Sequence, residues 1–320
     1  MLDGRRWRGM AQNRIAVIGG ANVDIGGFVH DALRMRDSNI GTVRLSPGGV
    51  GRNIAENAAR LGLQTEFVGA LGGDLNGEML LADCRRKGIG TSRCLVAPQG
   101  RSCVYMFVSD EHGDMCVAVN DMELQAMLTP AFFAERLDWI NAMDAVVLEA
   151  NLLPETLAFL AREIRVPLIA DAVSAVKARR LMPALAGLSA IKPNRCEAEA
   201  LTGVAVTDVP SARRAAQALM QLGVQRVYLT LGAEGALCTE AGRAYLAAVP
   251  VREIVNATGA GDAFTAAVAW AQAQQMPLEQ CARAGMAASA IAALAAESVS
   301  PEMSAAAVRA RMPEIEIQEL

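Results

Sequence analysis

Short apolar runs typical of buried strands alternate with helix-like runs along most of the chain, and this alternation limits the fold more than any other feature. Because such alternation builds a mainly parallel sheet covered on both faces, we predict an α/β fold. Ligands then bind at the carboxyl ends of the strands. The predicted strands lie at 15–19, 65–70, 145–148, 168–171, 190–192 and 226–230. The predicted helices lie at 53–61, 77–87, 154–164, 211–222, 263–273 and 278–295.

Composition narrows the class of protein. The chain has 320 residues, of which 52% are hydrophobic, enough for one large domain with a substantial core. Its net charge of −4 argues against a nucleic-acid surface, and only two histidines argue against a zinc site. Seven cysteines, an odd number without a C-x-x-C pair, indicate reduced thiols and a cytoplasmic protein.

The first residues of the chain have a composition of their own. Arg5 and Arg6 form a twin-arginine pair, but a strand-like run begins at Arg14, so the apolar segment of an export signal is missing. We therefore expect 1–13 to be a disordered extension, with Met10 as a second candidate start, ahead of one domain over 14–314. No run of about 18 apolar residues occurs, so we expect no membrane span.

Two segments interrupt the alternation. In 26–47, Val43 and Leu45 alternate with polar residues, and in 101–121 two β-rich runs flank a turn, which is a hairpin pattern. We predict that these segments form a small sheet that acts as a lid beside the main sheet. A surface hairpin without function is the alternative. Because the exposed edges of such a lid need covering, the pattern also favours a homodimer.

The stretch 256–264 is the strongest functional motif. Gly259, Ala260 and Gly261 have little or no side chain, so their backbone N–H groups can approach a ligand closely. The first turn of the following helix adds unpaired N–H groups and the positive end of the helix dipole, which suits a phosphate. Asp262 lies within this site, where a carboxylate can accept the proton of an attacking hydroxyl. A helix-capping role for Asp262 is the alternative.

A second glycine motif, at 48–53, opens the first predicted helix. It lacks the third glycine of a dinucleotide fingerprint, because Ile54 occupies that position, and the chain contains no Walker A loop. We predict instead that Gly48 and Gly49 let the backbone approach a sugar while Asn53 donates a hydrogen bond to one of its hydroxyls.

Together the two motifs resemble the two signatures of the ribokinase (PfkB) family of sugar and nucleoside kinases. The string Thr-Gly-Ala-Gly-Asp-Ala-Phe at 258–264 is similar to the C-terminal signature, and Gly-Gly-x-x-x-Asn at 48–53 to the N-terminal one; they lie about two hundred residues apart, in the expected order. The resemblance extends from about residue 14 to about residue 310. It implies a ribokinase-like Rossmann-type sandwich with a small β-sheet lid, and a kinase that uses ATP and Mg²⁺. A monovalent cation such as K⁺ stays open, because Asn256 occupies a position where many relatives have Asp.

The resemblance also assigns roles to individual residues. Asp24, near Asn22, matches the acid that binds two sugar hydroxyls, with a turn-forming Asp as the alternative, and Glu149 is assigned to the substrate site with both. Asn194 and Glu197 match an Asn-x-x-Glu motif that helps place phosphates and Mg²⁺, through water in the case of Glu197. A first-turn glutamate favoured by the helix dipole is the alternative. The nucleotide site is assigned to Thr230, Gly232, Gly235 and Thr258, with small residues at 285–289 near the adenine.

Stretches outside these signatures resemble the pseudouridine kinase branch of the family. The resemblance implies phosphorylation of the 5′-hydroxyl of pseudouridine, with Ser38, Asn39 and Asn120 in the lid over the base, where amide groups match the acceptors and donors of uracil. Kinases of ribose, uridine or adenosine, a non-catalytic sugar-binding relative and a nicotinamide-dependent dehydrogenase are the alternatives. The stretches are 37–41, 47–57, 119–122, 171–177 and 192–195, with Ile40 and Ala172 in place of the usual prolines.

Overall fold

The computed structural model describes residues 13–249 and 258–320, so the extension expected at 1–13 falls outside the described residues except for Asn13. The described strands are β1 (Arg14–Ile18), β2 (Asn22–Val29), β3 (Gly41–Gly48), β4 (Gln64–Val68), β5 (Ala70–Gly72), β6 (Leu95–Ala97), β7 (Val104–Ser109), β8 (Met115–Asp121), β9 (Ala145–Glu149), β10 (Leu168–Asp171), β11 (Ala190–Lys192), β12 (Arg226–Thr230), β13 (Ala236–Glu240), β14 (Arg243–Ala248) and β15 (Glu316–Glu319). The described helices are α1 (Val50–Arg60), α2 (Leu75–Arg86), α3 (Pro130–Ala134), α4 (Leu137–Asn141), α5 (Pro154–Glu163), α6 (Ala175–Ala178), α7 (Arg195–Thr202), α8 (Val209–Gln221), α9 (Ala260–Ala273), α10 (Leu278–Ala293) and α11 (Ala305–Arg311). Short 3₁₀ segments lie at Glu123–Met127, Arg179–Gly187, Gly232–Glu234 and Met312–Glu314.

Nine of the described strands form the central sheet, in the order β15-β14-β13-β12-β11-β10-β9-β1-β4. All neighbours from β12 to β4 run parallel, and β13, β14 and β15 add an antiparallel edge. The six strands predicted from the sequence all lie in the parallel part, the second of them ending at Val68 rather than at residue 70. The α/β class and the mainly parallel sheet are therefore confirmed.

The two faces of the central sheet are covered by separate cores. Ile15 and Val17 of β1 pack in one core with side chains from α1, α9 and α10. Ala16 and Ile18, which point the other way, pack with side chains from α5 and α8. Because both faces are covered, the parallel strands have apolar centres with polar residues mainly at their ends, which is why their sequences are recognisable.

Close packing of small residues positions the start of α9. Every residue of α9 from Asp262 to Ala273 is buried. Gly285 of α10 faces the ring of Phe264 so closely that a Cβ there would lie 2.7 Å from the ring. Ser289 Oγ, on the same helix, donates a hydrogen bond of 2.8 Å to the carbonyl oxygen of Ala260. These members of the 285–289 segment are thus engaged in helix packing, and the segment's place near the adenine stays a prediction.

A second sheet of four described strands, in the order β3-β2-β7-β8, lies apart from the central sheet. β2 runs parallel to β7, while the other neighbours are antiparallel. The small sheet expected from 26–47 and 101–121 is therefore present, although β2 already begins at Asn22 and β7 only at Val104. None of the helices within 13–249 and 258–320 is long and apolar enough to cross a membrane.

Candidate active site

Charged side chains gather where the parallel strands of the central sheet end. Glu149, Asp171 and Lys192 are the last residues of β9, β10 and β11, and all three are buried. The N-terminal turns of α1 and α9 bring Asn53 and Asp262 to the same edge. Since ligands of parallel α/β sheets bind at the carboxyl ends of the strands, this edge is the candidate active site.

Asp262 is joined to Asn53 across 209 residues of sequence. Asn53 Nδ2 donates a hydrogen bond of 2.9 Å to Asp262 Oδ2. Burial, together with the charge of Asp171, raises the pKa of Asp262 to about 7, although the hydrogen bond from Asn53 and the charge of Lys192 act in the opposite direction. A carboxyl with a pKa near neutrality can take up a proton and release it again, which is the property that a general base requires.

Lys192 supplies a buried positive charge beside Asp262. Its Nζ lies 3.2 Å from Asp171 Oδ2, and the same oxygen accepts a hydrogen bond of 2.6 Å from Thr265 Oγ1 of α9. Burial alone would lower the pKa of Lys192, but the charges of Asp171, Glu197 and Asp262 raise it above its ordinary value. Sequence reasoning assigned no role to Lys192 or Asp171, although a charged residue at the end of an apolar strand was a usable signal.

The N-terminus of α9 lies at the glycine motif for which the sequence predicts a phosphate site. Gly259 has φ +83, and a Cβ there would overlap the carbonyl oxygen of Ser298, so glycine is required at this position. A Cβ at Gly261 would lie 2.9 Å from Lys192 Nζ, so the lysine faces the backbone of this turn. Helix geometry leaves the N–H groups of the first turn without intrahelical acceptors. Backbone amides and a lysine ammonium thus converge on a space that suits a phosphate. Thr258 precedes this turn and is exposed, whereas Asn256 lies outside the described residues.

Asp24 lies near the start of β2, next to the glycine pair that precedes α1. Asn22 Nδ2 donates a hydrogen bond of 2.6 Å to Asp24 Oδ1. Burial raises the pKa of Asp24, against the effects of Asn22 and Arg52. A Cβ on Gly48 would overlap the Asp24 carboxylate, and Gly49, with φ +98, packs on the backbone at Gly20 and Ala21. The glycine pair therefore lets β3 pass close to this carboxylate.

The three residues predicted to contact the uracil, Ser38, Asn39 and Asn120, do not lie together in the structure. Asp24, Tyr105 and Asn120 are cross-strand partners, so their side chains lie on one face of the sheet. Ser38 and Asn39 lie instead in the loop beyond β2, which leaves the sheet at Val29, about 16 Å along the strand from Asp24. Asn39 Oδ1 accepts a hydrogen bond of 2.8 Å from Arg34 N and its Nδ2 donates one of 2.9 Å to Arg34 O, so its side chain holds this loop together.

Glu149 lies beneath the backbone rather than at an open surface. Its side chain is fully buried, and its two oxygens accept hydrogen bonds from Gly20 N, from Asn151 N at 2.7 Å and from Asn151 Nδ2 at 2.7 Å. Lys177 Nζ donates to Asn151 Oδ1, and burial raises the pKa of Glu149 to about 7. This placement favours an indirect role for Glu149, through the Gly20 backbone. Sequence reasoning gave Asn151 and Lys177 no role, although Lys177 ends the resembling stretch 171–177.

Asn194 and Glu197 form a reciprocal cap at the start of α7. Glu197 N donates to Asn194 Oδ1 at 2.9 Å, while Asn194 N and Nδ2 donate to the two Glu197 oxygens at 2.7 and 2.8 Å. This is a capping box, and it places Glu197 in the first turn of α7, where the alternative reading of a glutamate favoured by the helix dipole also puts it. Thr230 N donates to Pro193 O at 2.9 Å, and Gly232 and Gly235 belong to the turn after β12, in which Leu231 N donates to Gly235 O at 2.7 Å. The assigned nucleotide-site residues 194, 197 and 230 thus lie on adjacent strand ends.

The acidic groups of the site fit a divalent cation carried by phosphates. Residues 13–249 and 258–320 contain no cluster of three or more His, Cys, Asp or Glu side chains that could hold a metal alone. Mg²⁺ in phosphate-binding sites keeps several waters and uses one or two carboxylates besides phosphate oxygens. Glu197, whose charge acts on Lys192, is the carboxylate that the resemblance assigns to such a water-mediated contact.

Comparison with known proteins gives consistent matches over nearly the whole chain. The family model described as "pfkB family carbohydrate kinase" matches residues 12–305. Pseudouridine kinase from Escherichia coli K12 is 33% identical over 296 residues, which cover 92% of this chain and 95% of that protein.

Two solved structures show the same architecture. A carbohydrate kinase from Agrobacterium tumefaciens superposes with a TM-score of 0.86 at 29% identity, covering 96% of this chain and 99% of the other. The ribokinase of Arabidopsis thaliana complexed with ribose and ATP superposes with a TM-score of 0.82 at 22% identity, covering 95% and 99%. At this lower identity the second likeness concerns the fold alone.

Proposed function

The chain belongs to the pfkB family of carbohydrate kinases, and from that premise we propose that it transfers the γ-phosphoryl group of ATP to the 5′-hydroxyl of pseudouridine. The observation that carries the proposal is the meeting of Asp262, Asn53 and Lys192 at the N-terminus of α9. Pseudouridine as the acceptor is supported by the 33% identity to a pseudouridine kinase and by the five resembling stretches, of which only 47–57 overlaps a shared signature.

The proposed chemistry begins with Asp262 in its charged form. The carboxylate accepts the proton of the 5′-hydroxyl as the oxygen attacks the γ-phosphorus. The bond from the γ-phosphorus to the bridging oxygen breaks, and ADP leaves with the electron pair. The N–H groups at Gly259–Gly261 and the ammonium of Lys192 stabilise the negative charge on the transferred group, because they are already aimed at the place where it develops.

We assign the acceptor to the part of the site next to the small sheet. Asp24 accepts hydrogen bonds from two ribose hydroxyls, and its raised pKa reflects a carboxylate that is partly shielded from water before the ligand binds. Gly48 and Gly49 leave room for the sugar next to the backbone, and Asn53 reaches both the sugar and Asp262. Asn120 is the predicted base contact that shares a sheet face with Asp24, so we assign it to the uracil ring ahead of Ser38 and Asn39.

We assign the nucleotide to the part of the site formed by the ends of β11 and β12 and the start of α9. We assign the phosphates to the α9 turn with Thr258, and the ribose to the turn that contains Gly232 and Gly235. Mg²⁺ bound to the phosphates would neutralise part of their charge, and Glu197, with Asn194 holding its carboxylate, would meet it through water.

The outer face of the small sheet supports a homodimer. Side chains that point away from Asp24 are apolar and largely exposed: Val43 is 66% exposed, Leu45 58%, Met106 47%, Val117 56% and Val119 57%. A contiguous apolar face of this kind marks an interaction surface in a water-soluble protein. We propose that a second copy of the chain covers it, with the small sheet acting as both lid and interface.

A panel of acceptors tests the substrate. ADP formation would be followed by a coupled assay with Mg²⁺-ATP and pseudouridine, uridine, ribose or adenosine, and the phosphorylated position would be identified by NMR. We expect the highest kcat/KM with pseudouridine and phosphate on the 5′-oxygen. Clearly higher activity on ribose or adenosine would reject pseudouridine and leave the kinase class untouched, whereas no activity on any acceptor would reject both.

A further inference from the structure

Arg52 is a fully engaged arginine in the middle of the sugar-side glycine motif. Its residue is 2% exposed. Nε donates to Gly48 O at 3.1 Å, Nη2 donates to Pro47 O at 3.0 Å and to Asn53 Oδ1, and Nη1 donates to Glu56 Oε2 at 2.8 Å and Asp83 Oδ2 at 3.1 Å. A guanidinium has five N–H groups, and all five are used.

The contact to Asn53 fixes which end of that amide faces Asp262. An amide has one acceptor end and one donor end, and Arg52 occupies the acceptor, Oδ1. Nδ2 is then the end that points at Asp262 Oδ2. If the amide turned over, two acceptor oxygens would face each other and the hydrogen bond to Asp262 would be lost.

We infer that Arg52 is a positioning residue for phosphoryl transfer, acting through Asn53 to keep an N–H group on the carboxylate of Asp262. The inference rests on the proposed kinase function. It does not depend on which acceptor is used, because Arg52 touches Asn53 and the backbone of Pro47 and Gly48. The same contacts tie the end of β3 to the first turn of α1, so the sugar-side glycines and Asn53 move as one unit.

Glu56, Asp83 and Lys87, the charged residues around Arg52, keep their charges near neutral pH. Burial acts to raise the pKa values of Glu56 and Asp83, but Lys87 and Arg52 outweigh it and hold both below their ordinary values. Lys87 Nζ lies 2.6 Å from Glu56 Oε2 and 2.9 Å from Asp83 Oδ2. This cluster therefore keeps its charge while Asp262 titrates.

Loss of Arg52 has a defined consequence for the pH profile. The groups that act on Asp262 are Asn53 of α1, Glu149 of β9, Asp171 of β10 and Lys192 of β11. The Asn53 hydrogen bond stabilises the charged carboxylate and so lowers its pKa. Without a fixed Asn53, the pKa of Asp262 rises, and the acid limb of the activity profile moves to higher pH.

Three substitutions separate this role from a purely structural one. Arg52→Lys keeps the charge but loses the planar group with five N–H donors. Arg52→Met keeps the approximate length of the side chain without its charge, while Lys87 remains to balance the charges of Glu56 and Asp83. Lys87→Met is the matched control, because it weakens the same ion cluster without touching Asn53. Circular dichroism and thermal melting would establish folding, and kcat and kcat/KM would be measured from about pH 5.5 to 9 with any acceptor that the wild-type enzyme phosphorylates.

For both Arg52 variants we expect kcat to fall about tenfold, because Asp262 is then no longer held in one orientation toward the attacking hydroxyl. The midpoint of the acid limb should move to higher pH by about 0.5 to 1 unit. Lys87→Met should keep the wild-type pH profile despite a lower melting temperature. In an Asn53→Ala background the Arg52 substitutions should have no further effect on the limb, because the group through which Arg52 acts is gone.

The following outcomes would overturn the inference. Wild-type kcat and pH profile in a folded Arg52 variant would do so, as would effects that add to those of Asn53→Ala. If both Arg52 variants fail to fold while Lys87→Met folds, the role of Arg52 is stability alone. An inactive wild-type enzyme would reject the kinase proposal itself, which is a separate result.

Discussion

Asp262→Asn removes the proposed base while changing a single polar atom. The new amide can still accept the hydrogen bond from Asn53, which is 2.9 Å long in the wild-type structure. It cannot take up a proton at neutral pH. General bases contribute about 10²–10⁴-fold to a rate, so kcat should fall by at least about two orders of magnitude. The KM values for both substrates should change little, because the lost interaction belongs to the transition state.

The same substitution should stabilise the fold, and by an amount that depends on pH. The pKa of Asp262 is raised from 3.8 to about 7, so the folded protein holds this proton more tightly than the unfolded chain does. The carboxyl therefore lowers the free energy of unfolding progressively as pH rises from about 4 to about 7. Above that range the reduction in the free energy of unfolding is complete. The difference between the two pKa values of Asp262 corresponds to at most about 4 kcal/mol of unfolding free energy, because one pKa unit corresponds to about 1.4 kcal/mol.

The assay combines steady-state kinetics with thermal melting of the wild-type and variant proteins. The two melting temperatures should coincide near pH 4 and separate by pH 8, with the variant higher. Asp208→Asn is a control, since Asp208 is an exposed cap of α8 that accepts a hydrogen bond of 2.8 Å from Ser211 N and lies outside the active site. It should leave kcat unchanged and give no stabilisation at pH 8.

Two results would refute this reasoning. Near-normal kcat in Asp262→Asn, combined with its loss in Asp24→Asn, would reverse the two assigned roles and remove the α9 turn as the catalytic centre. A lower melting temperature for Asp262→Asn than for wild type at pH 8 would show that the buried charge is compensated, and that the raised pKa of Asp262 has no energetic basis.

Two further predictions concern the phosphate cradle and the small sheet. Lys192→Met should reduce kcat by about 10²–10³-fold, the usual effect of losing one charge-stabilising donor, and should move the acid limb to higher pH, because Lys192 lowers the pKa of Asp262. Unchanged kcat over the pH range would show that Lys192 does not face the transferred group. The double substitution Leu45→Glu with Val119→Glu should convert a dimer into a monomer in analytical ultracentrifugation, whereas Met182→Glu, a 44% exposed site elsewhere, should not. A wild-type monomer at micromolar concentration would exclude the proposed interface.

Much of the central sheet was readable because its parallel strands are buried on both faces. The strands predicted at 168–171, 190–192 and 226–230 have the observed bounds, because each has a short apolar centre that is buried in the sheet. The antiparallel edge was not predicted. β15 pairs with β14, about seventy residues earlier in the chain, and its mixture of exposed polar and partly buried residues carries no distinctive local pattern.

The sequence by itself determined the two glycine-led helix starts and the chemistry that each can offer, because close backbone approach and helix N-termini depend on local residue types. Only the tertiary structure decided which side chains act together. The order of the strands brings Lys192 to Asp171, and the packing of α9 against α1 brings Asp262 to Asn53, with Arg52 behind it. Burial at that meeting point then sets the pKa of Asp262, and burial is a property of the whole fold that no local pattern carries.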